Sequence, residues 1–266
     1  MSKRSIWGLA VLALSTASAV SQPAPTAMAS PALSAVAGNT FRYCHNPVWR
    51  PFDFSDNGEH RGVFQDYLEL FSQRLHIKVT VHPTSSWTGA LDALRSGDCD
   101  FLVGAVKTPE RESYSLFTRP YYNIDYVVLA KQDKPFTTSL ESLAGQTIAA
   151  TKSSAMMAHL NRSYPFIKTW PVETVDQAVE AISSGRVYGA VGALDEMVTD
   201  QHVALNNLKV IHKLDFPYPI SVAVRKDLPD LHAAFQWAVD SLTSEDRMQI
   251  FRRWTPVTIS QKVDYT

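Results

Sequence analysis

The sequence predicts an α/β protein built from two similar lobes that two extended strands join. Three observations predict it: an internal repeat, alternating strand and helix patterns, and apolar runs too short to span a bilayer. Residues 91–106 read LDALRSGDCDFLVGAV, and residues 179–194 read VEAISSGRVYGAVGAL. Six of the sixteen positions coincide: Ala93/Ala181, Ser96/Ser184, Gly97/Gly185, Val103/Val191, Gly104/Gly192 and Ala105/Ala193. Each copy reads as the end of an amphipathic helix, a glycine at C′ and a nearly unbroken apolar strand. A strand apolar on both faces suits a parallel sheet covered by helices.

The elements follow in order. Lys3 and Arg4 precede an apolar stretch, Ile6 to Leu14, with small residues at Ala17-Ser18-Ala19 and again at Ala27-Met28-Ala29. That pattern predicts an export signal peptide over residues 1–19, or to 29, because spanning a bilayer takes about 20 apolar residues. Residues 20–39 are rich in Ala, Ser and Pro without periodicity, which predicts a linker outside the fold. In the first unit, Thr40 to Cys44 reads as a strand, Val63 to Leu75 as a helix, Ile77 to Val81 as a strand and Trp87 to Ser96 as a helix. The second unit has a strand at Thr147 to Ala150, a helix from Ser154 and a strand at Ile167 to Trp170. Thr174-Val175-Asp176-Gln177 opens the next helix as a capping box. Such alternation predicts parallel sheets.

Tyr126 to Leu129 and Ile220 to Val224 read as the two crossings. The expected lobes are therefore residues 40–129 plus 225–256, and residues 130–224. Helices at Leu231 to Ser241 and Glu245 to Trp254 are expected to pack on the first lobe. Two lobes on two strands can hinge about a cleft. In open α/β sheets ligands sit beyond the carboxyl ends of the strands, where the repeat places Gly104 and Gly192.

Composition narrows the function. Of 266 residues, 45% are hydrophobic and 19% charged, with a net charge of −1. No basic run exceeds Arg252-Arg253, so nothing tracks a phosphate backbone and nucleic acid is not an expected partner. No segment after the leader is long enough for a membrane span, and a monomer is expected. The two cysteines, Cys44 and Cys99, either pair in an oxidising compartment or lie too far apart; their spacing leaves both open. Without histidines at ligand spacing they do not make a zinc site. No metal or cofactor is expected.

In order and spacing the chain resembles the periplasmic solute-binding proteins of family 3, the amino-acid-type binding proteins of ABC transporters, and the Venus-flytrap sensor domains related to them. The resemblance rests on Arg50-Pro51-Phe52-Asp53-Phe54, Gly62, Asp66, Trp87, Thr108-Pro109-Glu110-Arg111, Thr118-Arg119-Pro120-Tyr121, Leu143-Ala144-Gly145, Ala223-Val224-Arg225-Lys226-Asp227 and Phe251-Arg252-Arg253-Trp254. It implies the type II periplasmic-binding-protein fold, a small polar ligand between the lobes, and a permease or membrane sensor that reads the closed form. By the same resemblance Arg111 clamps a ligand carboxylate, a task suited to the two-pronged guanidinium. Trp87 and Trp49 form aromatic walls, and Ser153 and Ser154 offer donors from a strand-to-helix turn. Asn46, Gly104, Val106, Thr108 and Asp195 complete the expected ligand-facing set.

Two departures bear on the ligand. The family's polar residue two positions after the glycine is Val106 here, and its ammonium-binding Asp is Ala193, with Asp195 two residues on. A buried ammonium without a carboxylate is costly, so the sequence favours a carboxylate-bearing solute without a fixed cation. Enzyme motifs such as Gly-x-Ser-x-Gly and His-Glu-x-x-His are absent, and no catalytic residues are expected. Two further readings stay open. Cys44, Gly97-Asp98-Cys99-Asp100 and Arg119-Pro120-Tyr121-Tyr122 also resemble the binding-protein-like partners of periplasmic quinoprotein dehydrogenases. A dehydratase on the same fold is the other.

Overall fold

A computed structural model of the chain describes residues 31–199, 207–215 and 218–254. The expected leader lies outside the described residues. The chain opens on a short helix, α1 (Pro31–Val36), followed by β1 (Thr40–Cys44). A small antiparallel sheet of β2 (Val48–Trp49), β3 (Asp53–Asp56) and β4 (Glu59–Arg61) leads into α2 (Val63–Leu75). Then come β5 (Lys78–His82), α3 (Trp87–Ser96), β6 (Phe101–Ala105), α4 (Pro109–Glu112), β7 (Ser115–Phe117) and β8 (Tyr122–Ile124).

The second passage holds β9 (Tyr126–Lys131), β10 (Thr147–Thr151), α5 (Ala155–Ser163), β11 (Lys168–Val172) and α6 (Val175–Ser183). It continues with β12 (Gly189–Ala193), α7 (Leu194–Thr199) and β13 (Leu208–Lys213). The chain then returns through β14 (Tyr218–Arg225) to α8 (Pro229–Asp240) and α9 (Ser244–Trp254).

The two main sheets share one plan. One runs β5-β1-β6-β14-β7, and the other runs β11-β10-β12-β9-β13. In each, three parallel strands meet an antiparallel fourth, β14 beside β6 and β9 beside β12. The sheets are thus mixed, where the alternation alone predicted parallel ones. The repeat read from the sequence marks the same step of each plan, α3 into β6 and α6 into β12. The left-handed glycines Gly97 (φ 86) and Gly185 (φ 76) turn the chain at those steps.

The chain changes sheets elsewhere than expected. Tyr126–Lys131 pairs along its length with β12 and β13, and Tyr218–Arg225 pairs with β6, β7 and β8. The crossing out therefore falls at Asp125, between β8 and β9, and the crossing back ahead of β14. The expected boundaries at 129/130 and 224/225 move accordingly. The reason is burial: Tyr126 to Ala130 are all buried, and so are Ile220 to Val224. Apolar strands of this kind are stabilised inside a sheet and not in the open between lobes.

Residues 31–39, expected as linker, join the first lobe instead. Val36 is 2% exposed and belongs to the main core, with α1 packed against α8. The terminal helices pack on the first lobe as their apolar spacing predicts. Arg74 of α2 pairs with Asp246 of α9 at 2.8 Å, and Trp254 Nε1 donates to Asp66 at 2.9 Å. Cys44 and Cys99 form a buried disulfide with their Cα atoms 5.4 Å apart. Pairing of β1 with β6 through Tyr43 and Phe101 brings them together.

Candidate functional site

Between the two sheets lies a cavity with an atom-free volume of ≈ 610 Å³, its mouth to solvent included. Asn46, Trp49, Trp87, Gly104, Val106 and Arg111 line it from the first lobe, and Ser154 lines it from the second. These seven expected residues are thus brought together.

Local sequence explains the placement of the central pair. Ser86 caps α3 by accepting from Gly89 N at 3.2 Å, which starts the helix at Trp87 and points the indole into the cleft. Thr108 caps α4 by accepting from Arg111 N at 3.3 Å, with Pro109 at the first helical position. The Arg111 guanidinium sits 5.1 Å from the Trp87 ring centre and is 5% exposed as a residue. It donates to Val106 O at 2.8 Å and to Ser153 O at 2.9 Å. Both acceptors are neutral carbonyls, and two of five N–H groups are used, so the fork keeps donors for an anion. Burial lowers the guanidinium pKa below its ordinary value. That desolvation cost is offset when an anionic partner arrives.

Three expected residues do not line the cavity. The Thr108 hydroxyl is turned to its own helix as the cap. Ser153 presents its carbonyl oxygen to Arg111 in the first lobe, where Trp87 Nε1 also donates to it at 3.3 Å. Its hydroxyl meets Thr88 Oγ1 at 3.1 Å, and its φ of 57° is left-handed, which favours the glycine usual in the resembled family. Asp195 stands on α7 outside the lining; its carboxyl pKa is raised by burial and by the charge of Asp125. Ser154 lines the cavity but spends its hydroxyl as the N-cap of α5, accepting from Met157 N at 3.0 Å.

The glycine at Gly104 serves a different purpose from the one its position suggests. A Cβ there would sit 2.5 Å from the Phe64 ring, and at Gly192 it would collide with Met197. Both glycines line the cavity, but their missing side chains make room for core packing beneath the strands.

The fold also delivers groups the sequence did not single out. Glu173, Glu196, Tyr126 and Tyr218 line the cavity from the second lobe and the crossings. Glu196 is 9% exposed and puts a carboxylate on the cavity wall three residues past Ala193. Tyr126 and Tyr218 pack with ring centres 4.5 Å apart, and burial raises both phenol pKa values well above the ordinary one. Among the described residues, Asn46 Oδ1, Glu173 Oε2 and Tyr218 Oη are buried atoms without a hydrogen-bond partner. Buried polar atoms are normally satisfied, so these three mark where a polar ligand would complete the site.

The comparisons with known proteins agree with this architecture. The model of the bacterial extracellular solute-binding proteins, family 3, matches residues 41–257. The virulence sensor protein BvgS of Bordetella pertussis is 23% identical over 210 residues, which is 78% of this chain and 17% of the sensor. The chain thus spans under a fifth of that relative's length. A putative ABC transporter arginine-binding protein 2 of Escherichia coli is 24% identical, with 84% of this chain and 93% of that protein covered. Among solved structures, an ancestral arginine-binding protein bound to arginine superposes with a TM-score of 0.72 at 24% identity, covering 81% of this chain and 97% of that one. The periplasmic VFT2 domain of Bordetella pertussis BvgS gives 0.70 at 22% identity, covering 81% and 92%. Neighbours at this identity establish the periplasmic-binding-protein fold. Among the described residues, no helix is long and apolar enough to cross a membrane.

Proposed function

Because the chain belongs to the bacterial extracellular solute-binding proteins of family 3, we propose that it binds a small carboxylate-bearing solute between its lobes, in the periplasm. The closed form is then read by an ABC permease or a membrane sensor. The observation that carries this reading is Arg111: a buried guanidinium on the cavity wall, stacked near Trp87, whose acceptors among the described residues are carbonyl oxygens. A carboxylate seated there gains charge-assisted bonds in a desolvated setting, where they are strongest.

The far wall refines the class. Glu173 and Glu196 face the same cavity as Arg111, so the ligand can carry a cation as well as a carboxylate. An amino acid with a basic side chain meets both ends, and the arginine-binding relatives make arginine the first compound to test. The relatives divide between binding proteins and sensor domains, and the cavity chemistry serves either use. Catalysis is not proposed.

The experiment is a thermal-shift screen of residues 30–266 against amino acids, organic acids, amines and sugars. A ligand at 100 times its Kd stabilises by about 2.7 kcal/mol, a shift of roughly 5 to 10 °C for a domain of this size. Hits confined to carboxylates, lost in Arg111→Ala, support the reading. A panel without a single shift sinks it and turns attention to a protein partner.

A further inference from the structure

Away from the cavity, three side chains with strong metal affinity converge on one point. His45 Nδ1 lies 2.9 Å and His60 Nε2 lies 2.6 Å from the same carboxylate oxygen, Asp53 Oδ1. The imidazole rings are 4.4 Å apart between centres and tilted by 58°. The side chains are almost wholly buried, at 5%, 3% and 6% exposure for His45, Asp53 and His60. Their candidate donor atoms all fall within 4.8 Å of one another, near enough for small side-chain shifts to bring them onto one ion with bonds of about 2.0–2.2 Å.

We propose that His45, Asp53 and His60 form a site for one divalent transition-metal ion of the zinc class. Two imidazoles and one carboxylate are a ligand set suited to Zn²⁺ and its neighbours in the first transition row, and ill suited to Ca²⁺ or Mg²⁺, which take oxygen. The surroundings orient Asp53 and His45 as metal sites require. The far carboxylate oxygen, Asp53 Oδ2, accepts from Tyr43 Oη at 2.6 Å and from Asn46 N at 3.0 Å, which turns Oδ1 toward the imidazoles. His45 Nε2 lies 2.8 Å from Ser55 Oγ, a hydroxyl able to accept its proton and leave the Nδ1 lone pair facing Oδ1. His60 Nδ1 is buried with no partner among the described residues. Binding an ion there moves the proton from His60 Nε2, where Asp53 Oδ1 now accepts it, to Nδ1 or to solvent. Without a metal, the same contacts make a hydrogen-bonded cluster of two imidazoles on one carboxylate, and the experiment separates the two.

Untagged protein stripped with chelator is titrated with Zn²⁺ by calorimetry, and with Co²⁺ while its visible d–d absorption is followed. The expected result is one ion per chain, with Zn²⁺ affinity falling at least ~100-fold in His60→Ala. His60 sits on the β3–β4 hairpin with its ring stacked on the core residue Tyr43, 5.0 Å between ring centres, so circular dichroism checks that the variant folds. His45→Gln is the second variant should His60→Ala not fold, and the same loss is expected of it. Absence of stoichiometric binding to the wild-type chain overturns the proposal in favour of the hydrogen-bonded cluster. Binding unchanged in a folded variant overturns it too, because the ion then sits on another histidine.

Discussion

Arg111 of the first lobe and Ser153 of the second meet across the cavity, the guanidinium Nη2 donating to the Ser153 carbonyl oxygen at 2.9 Å. Trp87 Nε1 donates to that same oxygen at 3.3 Å. One carbonyl thus joins both lobes through the two residues that also form the cavity wall. A ligand that engages Arg111 acts on the contact that holds the lobes together, which links occupancy to closure.

Replacement of Arg111 is therefore expected to cost both binding and closure. Arg111→Lys keeps the charge but loses the planar fork. Charge-assisted hydrogen bonds contribute about 1.5–3 kcal/mol each, so affinity for a carboxylate ligand should fall at least ~10-fold in the lysine variant and further in Arg111→Ala. Isothermal titration with the hit of the thermal screen measures it. Affinity within twofold of wild type would show that the carboxylate binds elsewhere.

The acidic wall can be tested separately. Glu196→Gln and Glu173→Gln are expected to weaken a ligand that carries an ammonium or guanidinium roughly 10- to 100-fold. A ligand with a carboxylate alone should bind these variants as well as the wild type. Comparing a basic amino acid with a simple organic acid in the two variants decides whether the cavity reads both charges.

The disulfide is expected to stabilise the first lobe strongly. Cys44 and Cys99 are 55 residues apart in sequence, and closing a loop of that length removes about 4 kcal/mol of unfolded-state entropy. At about 2–4 °C per kcal/mol, the Cys44→Ser, Cys99→Ser double variant should melt roughly 8–16 °C lower by calorimetry. An unchanged melting point would mean that the pair is not bridged in the protein.

Gly104→Ala tests what the glycine is for. A methyl there meets the Phe64 ring at 2.5 Å, and overpacking of this kind costs about 1–3 kcal/mol. The melting temperature of the unliganded protein should drop by roughly 2–10 °C. Loss of ligand affinity with no loss of stability would show instead a glycine kept for the ligand.

Much of the fold could be read locally. The caps at Thr108 and Thr174 and the helix Val63–Leu75 depend on neighbours within a few positions, and each appears where the pattern puts it. At Thr174 the capping box is modified: the hydroxyl accepts from Gln177 N, but the Gln177 side chain reaches Glu173 N and not the cap residue's own N–H. The crossings were misplaced because an apolar run reads alike as a joining strand or as a sheet member. Pairing decides that, and pairing partners lie far away in sequence. For Tyr126–Lys131 they are β12 and β13, about 60 to 80 residues downstream.

By itself the sequence determined the two-lobed α/β plan, through the repeat at Gly104 and Gly192, and the helix starts that carry Trp87 and Arg111, whose place at the ligand only the family resemblance implied. These follow from periodicity and capping, which act over a few residues. Only the tertiary structure decided that Ser153 gives its carbonyl to Arg111 and its hydroxyl to Thr88, that Cys44 reaches Cys99, and that Glu173, Glu196 and Tyr218 share one cavity with Arg111. It likewise drew His45, Asp53 and His60 to a single oxygen. Each of these depends on where distant segments come to rest against one another, and sheet pairing and core packing set that position, not any local pattern of residues.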